Sequence, residues 1–210
     1  KGYLIADISL QFDEKGKIKD NFAIKGVISD SKIIINKYYN LDKINFAFDI
    51  NGKNFDFKDI GFKFNQVPFF SDGINAQILK DKFFVKGELN NKNIDLNEKD
   101  FDFLTSEFFS KVDLTNLNFE SNNKFSFSLN KKFDLDNLSI SSLLKISNLT
   151  VVNLPEMRNF FPENKRQVEF SDQTINLDYS KNNLIIEGKG KISLQKKKDN
   201  ISFYIKKKGG

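Results

Sequence analysis

The chain has 210 residues, with 24 phenylalanines, 33 basic and 28 acidic side chains, and a formal charge of +5. It contains no cysteine and no histidine, which excludes disulfides, thiolate and imidazole metal sites, and every Ser-His or Cys-His nucleophile. Arg158 and Arg166 are the only arginines, and lysine alternates with Asp, Glu and Asn along nearly every segment, so the positive balance reads as a solvated face and not as a nucleic-acid surface.

Period two governs the chain from its start. In "YLIADISLQF", Leu4, Ala6, Ile8, Leu10 and Phe12 fall on one face of a strand. "DEKG" at 13–16 reads as a turn, after which Ile18, Phe22, Ile24, Gly26 and Ile28 continue the alternation. Ile44, Phe46, Phe48 and Ile50 make a further strand, closed by Asn51-Gly52, a strong hairpin signal. More strands are predicted at 54–58, 62–66, 73–80 and 82–90. "NEKDFDFLTSEFFSK", 97–111, breaks the alternation and suits a short amphipathic helix. Strands resume at 111–119, 124–130, 138–141 and 143–152. In "LPEMRNFFPE", Pro155 suits a first helical position and Pro162 a stop, which predicts a second short helix near 154–161. Final strands are expected at 173–179, 184–194 and 201–207, with "SNN" at 121, "KNN" at 181 and "KDN" at 198 as separating turns.

The expected fold is therefore mostly β: a long, curved antiparallel sheet of repeated strands, forming an open groove or a half-closed sandwich, with one or two short helices that read as plugs of sheet ends in preference to a lid or an interaction helix. It divides into a β-repeat segment at 1–96, a helix at 97–111 and a second β segment at 112–210. "FAIKGVISDSKIII" (22–35) aligns with "FFVKGELNNKNIDL" (83–96), so that Lys25-Gly26 falls on Lys86-Gly87, and "LIIEGKGKI" (184–192) carries a looser copy around Gly188. Glycine inside a strand predicts a bulge or bend, and its repetition predicts a regularly curved sheet. The chain enters a strand directly at Lys1 and has no run of about 20 apolar residues, so it reads as a segment of a larger array, with any membrane anchor outside it.

Candidate chemistry is sparse. Asp56 with Asp59, and Asp134 with Asp136, are carboxylate pairs without a supporting constellation. No phosphate-binding loop, calcium loop or other cofactor motif is present. The lysines of "KKKDN" and of the run at 206–208 suit the blunting of an edge strand better than contact with anionic headgroups. No enzyme is expected, and no cofactor. The apolar stripe is what remains to be explained. It fits the core of a closed sandwich or the wall of an open groove that acyl chains would fill, while the long strands and the repeat do not suit a stacking platform for single-stranded nucleic acid.

Three stretches carry a resemblance: "FAIKGVISDSKIIINKYYNLDKINFAFDINGKNFDFKDIGFKF", "NKFSFSLNKKFDLDNLSISSLLKISNLTV" and "LPEMRNFFPENKRQVEFSDQTINLDYSKNNLIIEGKGKISL". Together they resemble the AsmA-like family of bacterial envelope proteins, which includes the TamB-like and YhdP-like members. That resemblance implies a bridge-like lipid transfer protein of the periplasm, anchored in the inner membrane, whose curved sheet conducts phospholipid towards the outer membrane and serves outer membrane biogenesis. It implies a groove lined by Leu4, Ile8, Leu10, Ile24, Ile28, Phe46, Phe48, Phe55, Phe57, Ile74, Ile78, Phe125 and Phe127, with phospholipid acyl chains and bacterial membranes as partners and no nucleic acid. The other expectation is a non-catalytic structural or adhesive β-repeat module with a closed core.

Overall fold

The computed structural model describes residues 2–19, 21–36, 39–97, 100, 113–152, 167–194 and 197–209. Among them the chain forms β1 (Tyr3–Ser9), β2 (Ala23–Ile34), β3 (Asn40–Asn51), β4 (Asn54–Phe64), β5 (Val67–Leu79), β6 (Lys82–Asn97), β7 (Asp113–Leu129), β8 (Leu135–Val152), β9 (Gln167–Ser180), β10 (Asn183–Leu194) and β11 (Lys197–Lys208). They hydrogen-bond in chain order, from β1 at one edge to β11 at the other. The registers of β1 through β6 and of β9 through β11 are antiparallel. The mostly β expectation holds. Apart from Asn97, the last residue of β6, and Asp100, both expected helices fall outside the described residues.

Several boundaries differ from the sequence reading. The hairpin after β3 pairs Asn51 with Asn54, so its two loop residues are Gly52 and Lys53, not Asn51 and Gly52. Gly52 supplies the positive φ of 56° that the first loop position needs. Asn65-Gln66, Lys80-Asp81 and Lys181-Asn182 close two-residue hairpins with both φ values positive and no glycine. Ser121-Asn122-Asn123 is not a turn, because β7 runs straight through it. Lys198-Asp199-Asn200 is not one either, since it pairs with Ser193, Ile192 and Lys191 of β10.

Single strands replace the expected pairs at 54–66, 111–130 and 138–152. In β4, Lys58 and Asp59 are both exposed between inward Phe57 and buried Ile60. Asp59 has a left-handed φ of 52°. One such residue adds a step to the alternation, so apolar residues on both sides of it stay on the same face. Asp30, Lys43, Asn93, Asn137 and Asp172 have left-handed φ within β2, β3, β6, β8 and β9. All but Lys43 are Asp or Asn, the residues that tolerate this conformation most readily after glycine. Paired strands kink together: the β4–β5 register is the same before the kink (Phe57 with Ile74) and after it (Phe62 with Phe69).

Two compact units result. One comprises Lys1–Asn90 with Asn123–Ile140, and the other Asn91–Asn122 with Ser141–Gly210. In the first, the buried apolar residues Ile44, Ile60 and Val67 lie beyond the kinks of β3, β4 and β5. In the second, Ile94, Leu96, Leu114, Ile146, Val151 and Val168 are buried.

Polar side chains, buried at Ser71 and Gln173 and exposed at Asn45, tie down the kinks. Ser71 Oγ accepts from the Gly73 amide and donates to the Gly73 carbonyl, both at 3.1 Å. Asn45 Oδ1 accepts from the Asp30 amide at 3.0 Å, while its Nδ2 donates to the Lys43 carbonyl at 2.7 Å. In the second unit, Gln173 is 4% exposed and its Nε2 donates to the carbonyls of Lys191 at 2.7 Å and Ser171 at 3.1 Å. A Gln173→Leu substitution keeps the volume and strips two carbonyls of their donor. It should cost about 2–4 kcal/mol in urea unfolding, since each buried orphan costs about 1–3 kcal/mol. A loss under about 0.5 kcal/mol would mean that water reaches these carbonyls.

Candidate functional site

Residues opposite one another in neighbouring strands share a face. In the first unit, one row runs Ile8, Ile24, Ile50, Phe55, Ala76, Val85 across β1 to β6. The next runs Ala6, Gly26, Phe48, Phe57, Ile74, Gly87, and a third begins Leu4, Ile28, Phe46. No polar side chain interrupts these rows. The opposite face carries Asp7, Lys25, Asp49, Asp56, Asn75 and Lys86 in a single row, with Lys25 Nζ 3.0 Å from Asp49. The period-two composition thus separates into one apolar and one charged surface.

The register places Leu4, Ile8, Ile24, Ile28, Phe46, Phe48, Phe55, Phe57, Ile74 and Ile78 on the apolar surface, Ile78 through its pairing with Phe83. Phe125 joins them, because a Cβ built on Gly87 would lie 3.1 Å from its ring. Phe127 stacks on Phe125 with ring centroids 6.0 Å apart. Leu10 is different: it follows the last residue of β1, is 42% exposed and belongs to no strand row. Aromatic contacts knit the surface. Phe46 meets Phe57 edge-on at 5.7 Å, and Phe55, Phe83 and Phe133 form a chain of rings. Sequence reasoning missed Phe133, which sits in the β7–β8 turn with φ 62°, outside any alternation. It also left out Ile50, Val85 and Phe83, although they continue the same rows.

None of the repeated glycines has a left-handed φ: Gly26 lies in regular strand, whereas Gly87 borders a register shift between β5 and β6 and Gly188 comes just before one between β9 and β10. A Cβ on Gly26 would be 2.6 Å from the Phe48 ring, and one on Gly87 would be 2.7 Å from Ile74 Cγ1. On Gly188 it would enter the ring of Phe203, its cross-strand partner. Each glycine is a seat for a large side chain that lies down along the sheet. In the second unit, β9 to β11 repeat the separation: Ile186, Leu177 and Ile205 form one row and Gly188, Ile175 and Phe203 the next, while Glu187, Asn176 and Tyr204 face the other way.

This surface is partly exposed. Leu4 and Ile8 keep 65% and 63% of their area accessible, and Phe46, Phe48, Phe55 and Phe57 are half-buried. No family model, curated protein or solved structure matches the chain. The carboxylate pairs do not converge on anything. Asp56 accepts from Asn75, Asp59 is the kink residue, and Asp134 accepts from Asn130. The hydrogen bond from Lys82 holds the Asp136 carboxyl below the usual carboxylate range, and the bond from Lys191 does the same for Asp172. These are solvated ion pairs on the polar face and lower, not raise, proton affinity. Among the described residues, no group of three acidic, histidine or cysteine side chains is placed to hold a metal ion.

Proposed function

We propose that the apolar surface of the first unit binds phospholipid acyl chains, and that the chain is a groove-forming segment of a periplasmic envelope protein conducting lipid between inner and outer membranes. One observation carries this reading: rows of Ile, Leu and Phe cross β1 to β6 without a polar interruption and remain partly open to solvent. Acyl chains suit such rows because they need no hydrogen bonds and gain about 25 cal/mol per Å² of apolar area buried. Uniform rows also give a chain no fixed stopping point, which suits movement along them. The alternative, a structural module with a closed core, requires these rings to be buried, and half-buried Phe46, Phe48, Phe55 and Phe57 favour the groove.

The test is native mass spectrometry of the chain purified from a membrane-containing lysate, with lipid extraction. Bound phospholipid is expected. Changing Phe46, Phe48, Phe55 and Phe57 to Thr keeps strand propensity and should abolish it while far-UV circular dichroism stays unchanged. Lipid-free wild-type protein, or a folded variant that keeps its lipid, would remove the transport reading.

A further inference from the structure

Four connections of the first unit leave the same end of its strands: residues 10–19 after β1, Gly52-Lys53 after β3, Lys80-Asp81 after β5 and residues 130–134 after β7. Contacts join each to the next. The Gly52 amide donates to the Phe22 carbonyl at 3.0 Å, the Ile78 amide to the Lys53 carbonyl at 2.9 Å, and Lys131 Nζ lies 2.9 Å from Asp81. Alternate connections of an antiparallel sheet stand about 10 Å apart, two strand spacings, so the four make a row of tips. Three of them set exposed apolar side chains beside lysine. Phe12, Ile18, Leu79, Phe133 and Leu135 are between 47% and 72% exposed. Lys15, Lys17, Lys53, Lys80 and Lys132 are exposed and have no ion pair among the described residues. Residues 10–19, 52–53, 79–82 and 130–136 hold eight lysines against five acids, so this end is positive. Two of those acids, Asp81 and Asp136, are already taken by Lys131 and Lys82.

We propose that this row of tips seats the first unit on the surface of an anionic lipid bilayer. The apolar side chains enter the interface and the lysines stay at headgroup level, each adding attraction to the negative surface. The tips are built for it. Asp13 Oδ1 accepts from the amides of Lys15 and Lys17 at 2.9 and 2.8 Å, and Phe12 and Ile18 form a β-bridge behind that turn. Asn130 Oδ1 accepts from the amides of Lys132 and Asp134 at 2.8 and 3.0 Å. Between those two, Phe133 takes a left-handed φ of 62°, a costly conformation for a bulky residue, and one that leaves most of its ring exposed. The spacing favours a bilayer over a protein. A protein interface needs one contiguous, close-packed core, whereas a bilayer receives tips about 10 Å apart one by one. This inference does not rest on lipid binding by the apolar rows, because Phe12, Ile18 and the lysines lie outside them.

The probe is a vesicle of phosphatidylcholine with one quarter phosphatidylglycerol, compared with pure phosphatidylcholine. The whole chain should sediment with the anionic vesicles at low salt and leave them at about 0.5 M salt, where screening shortens to about 4 Å. Lys15→Gln with Lys17→Gln should weaken binding about tenfold or more, since each lysine beside an anionic surface contributes about fivefold. The chain has no tryptophan, so Phe12→Trp gives a single reporter at the tips and Ile34→Trp one at the other end of β2. Brominated acyl chains should quench the first and spare the second. The variant with Phe46, Phe48, Phe55 and Phe57 changed to Thr should sediment like the parent, which separates this contact from lipid held on the apolar rows. No sedimentation, equal binding to neutral vesicles, equal quenching of both reporters, or loss of binding in the folded Thr variant would overturn the proposal. So would a folded lysine variant that binds as tightly as the parent.

Discussion

Deleting Asp59 should abolish the cooperative unfolding of the first unit. Ile60, Phe62 and Phe64 follow Asp59 in β4, and its left-handed φ of 52° keeps them on the same face as Phe55 and Phe57. Deletion leaves these residues in plain alternation, but it moves Ile60 opposite Asp72 and Phe62 opposite Phe70 as long as β3 and β5 keep their own kinks. Buried Ile60 and the Phe62–Phe69 stack, with ring centroids 5.4 Å apart, are then lost together. At about 1.5–3 kcal/mol for each large apolar side chain, the loss is about 5 kcal/mol or more, comparable to the whole stability of a typical domain. Slippage offers no escape, because β4 is paired on both sides, with β3 and β5. Two substitutions separate the deletion from mere loss of a carboxylate. Asp59→Gly keeps the left-handed backbone and should change stability by less than about 0.5 kcal/mol. Asp59→Val keeps the residue count but strains a β-branched side chain, and should cost about 1–2 kcal/mol. Urea unfolding followed by tyrosine fluorescence and circular dichroism ranks all three. A deletion variant within about 1 kcal/mol of the parent would show that the kink has no part in holding the face together.

The same residue explains what the sequence could and could not disclose. Alternation within 44–50, 54–58 and 184–194 is unbroken, so those strands and their faces are legible from period two alone. At Lys58-Asp59 two polar residues stand together, which in a sequence looks like a turn between strands. Only the matched kinks of β4 and β5, held in register by both partners, make them one strand. Hairpin signals suffered the same ambiguity. Asn51-Gly52 is a strong dipeptide, yet the register set by β2 and β3 moves the loop by one residue. Lys80-Asp81 and Asn65-Gln66 adopt positive φ without glycine, because the paired strands on either side impose it.

The candidate surface was readable where it coincides with strand alternation, as at Phe46, Phe48, Phe55 and Phe57. It was not readable at Phe133, whose ring reaches Phe83 from a turn. Leu10 failed in the other direction: the alternation continues through it, but β1 ends at Ser9 and the chain turns through Asp13 to Gly16. Buried polar residues carry no such period. Ser71 and Gln173 look like ordinary surface residues in the sequence, and only their place at a kink gives them carbonyls to satisfy.

The glycine seats lead to the second large effect. Gly188→Val should destabilise the second unit by about 1–3 kcal/mol, because the new side chain occupies the space of the Phe203 ring. Strand propensity acts the other way, since valine is preferred over glycine by up to about 1 kcal/mol. Gly61 separates the two terms: a Cβ there meets nothing within 4 Å, so Gly61→Val should be neutral or stabilising. A loss at Gly188 with none at Gly61 is therefore the signature of a seat and not of a flexible strand. Phe203→Ala alone should also cost about 1–3 kcal/mol, leaving Gly188 bare between β9 and β11. Combined with Gly188→Val it should cost less than the sum, because valine fills the space that the ring left. A double-mutant cycle in urea reads that coupling directly, and about 1 kcal/mol or more is expected for side chains in contact. Strict additivity would mean that ring and glycine are independent, and the repeated Lys-Gly of β2 and β6 would then need a cause other than seating a neighbour.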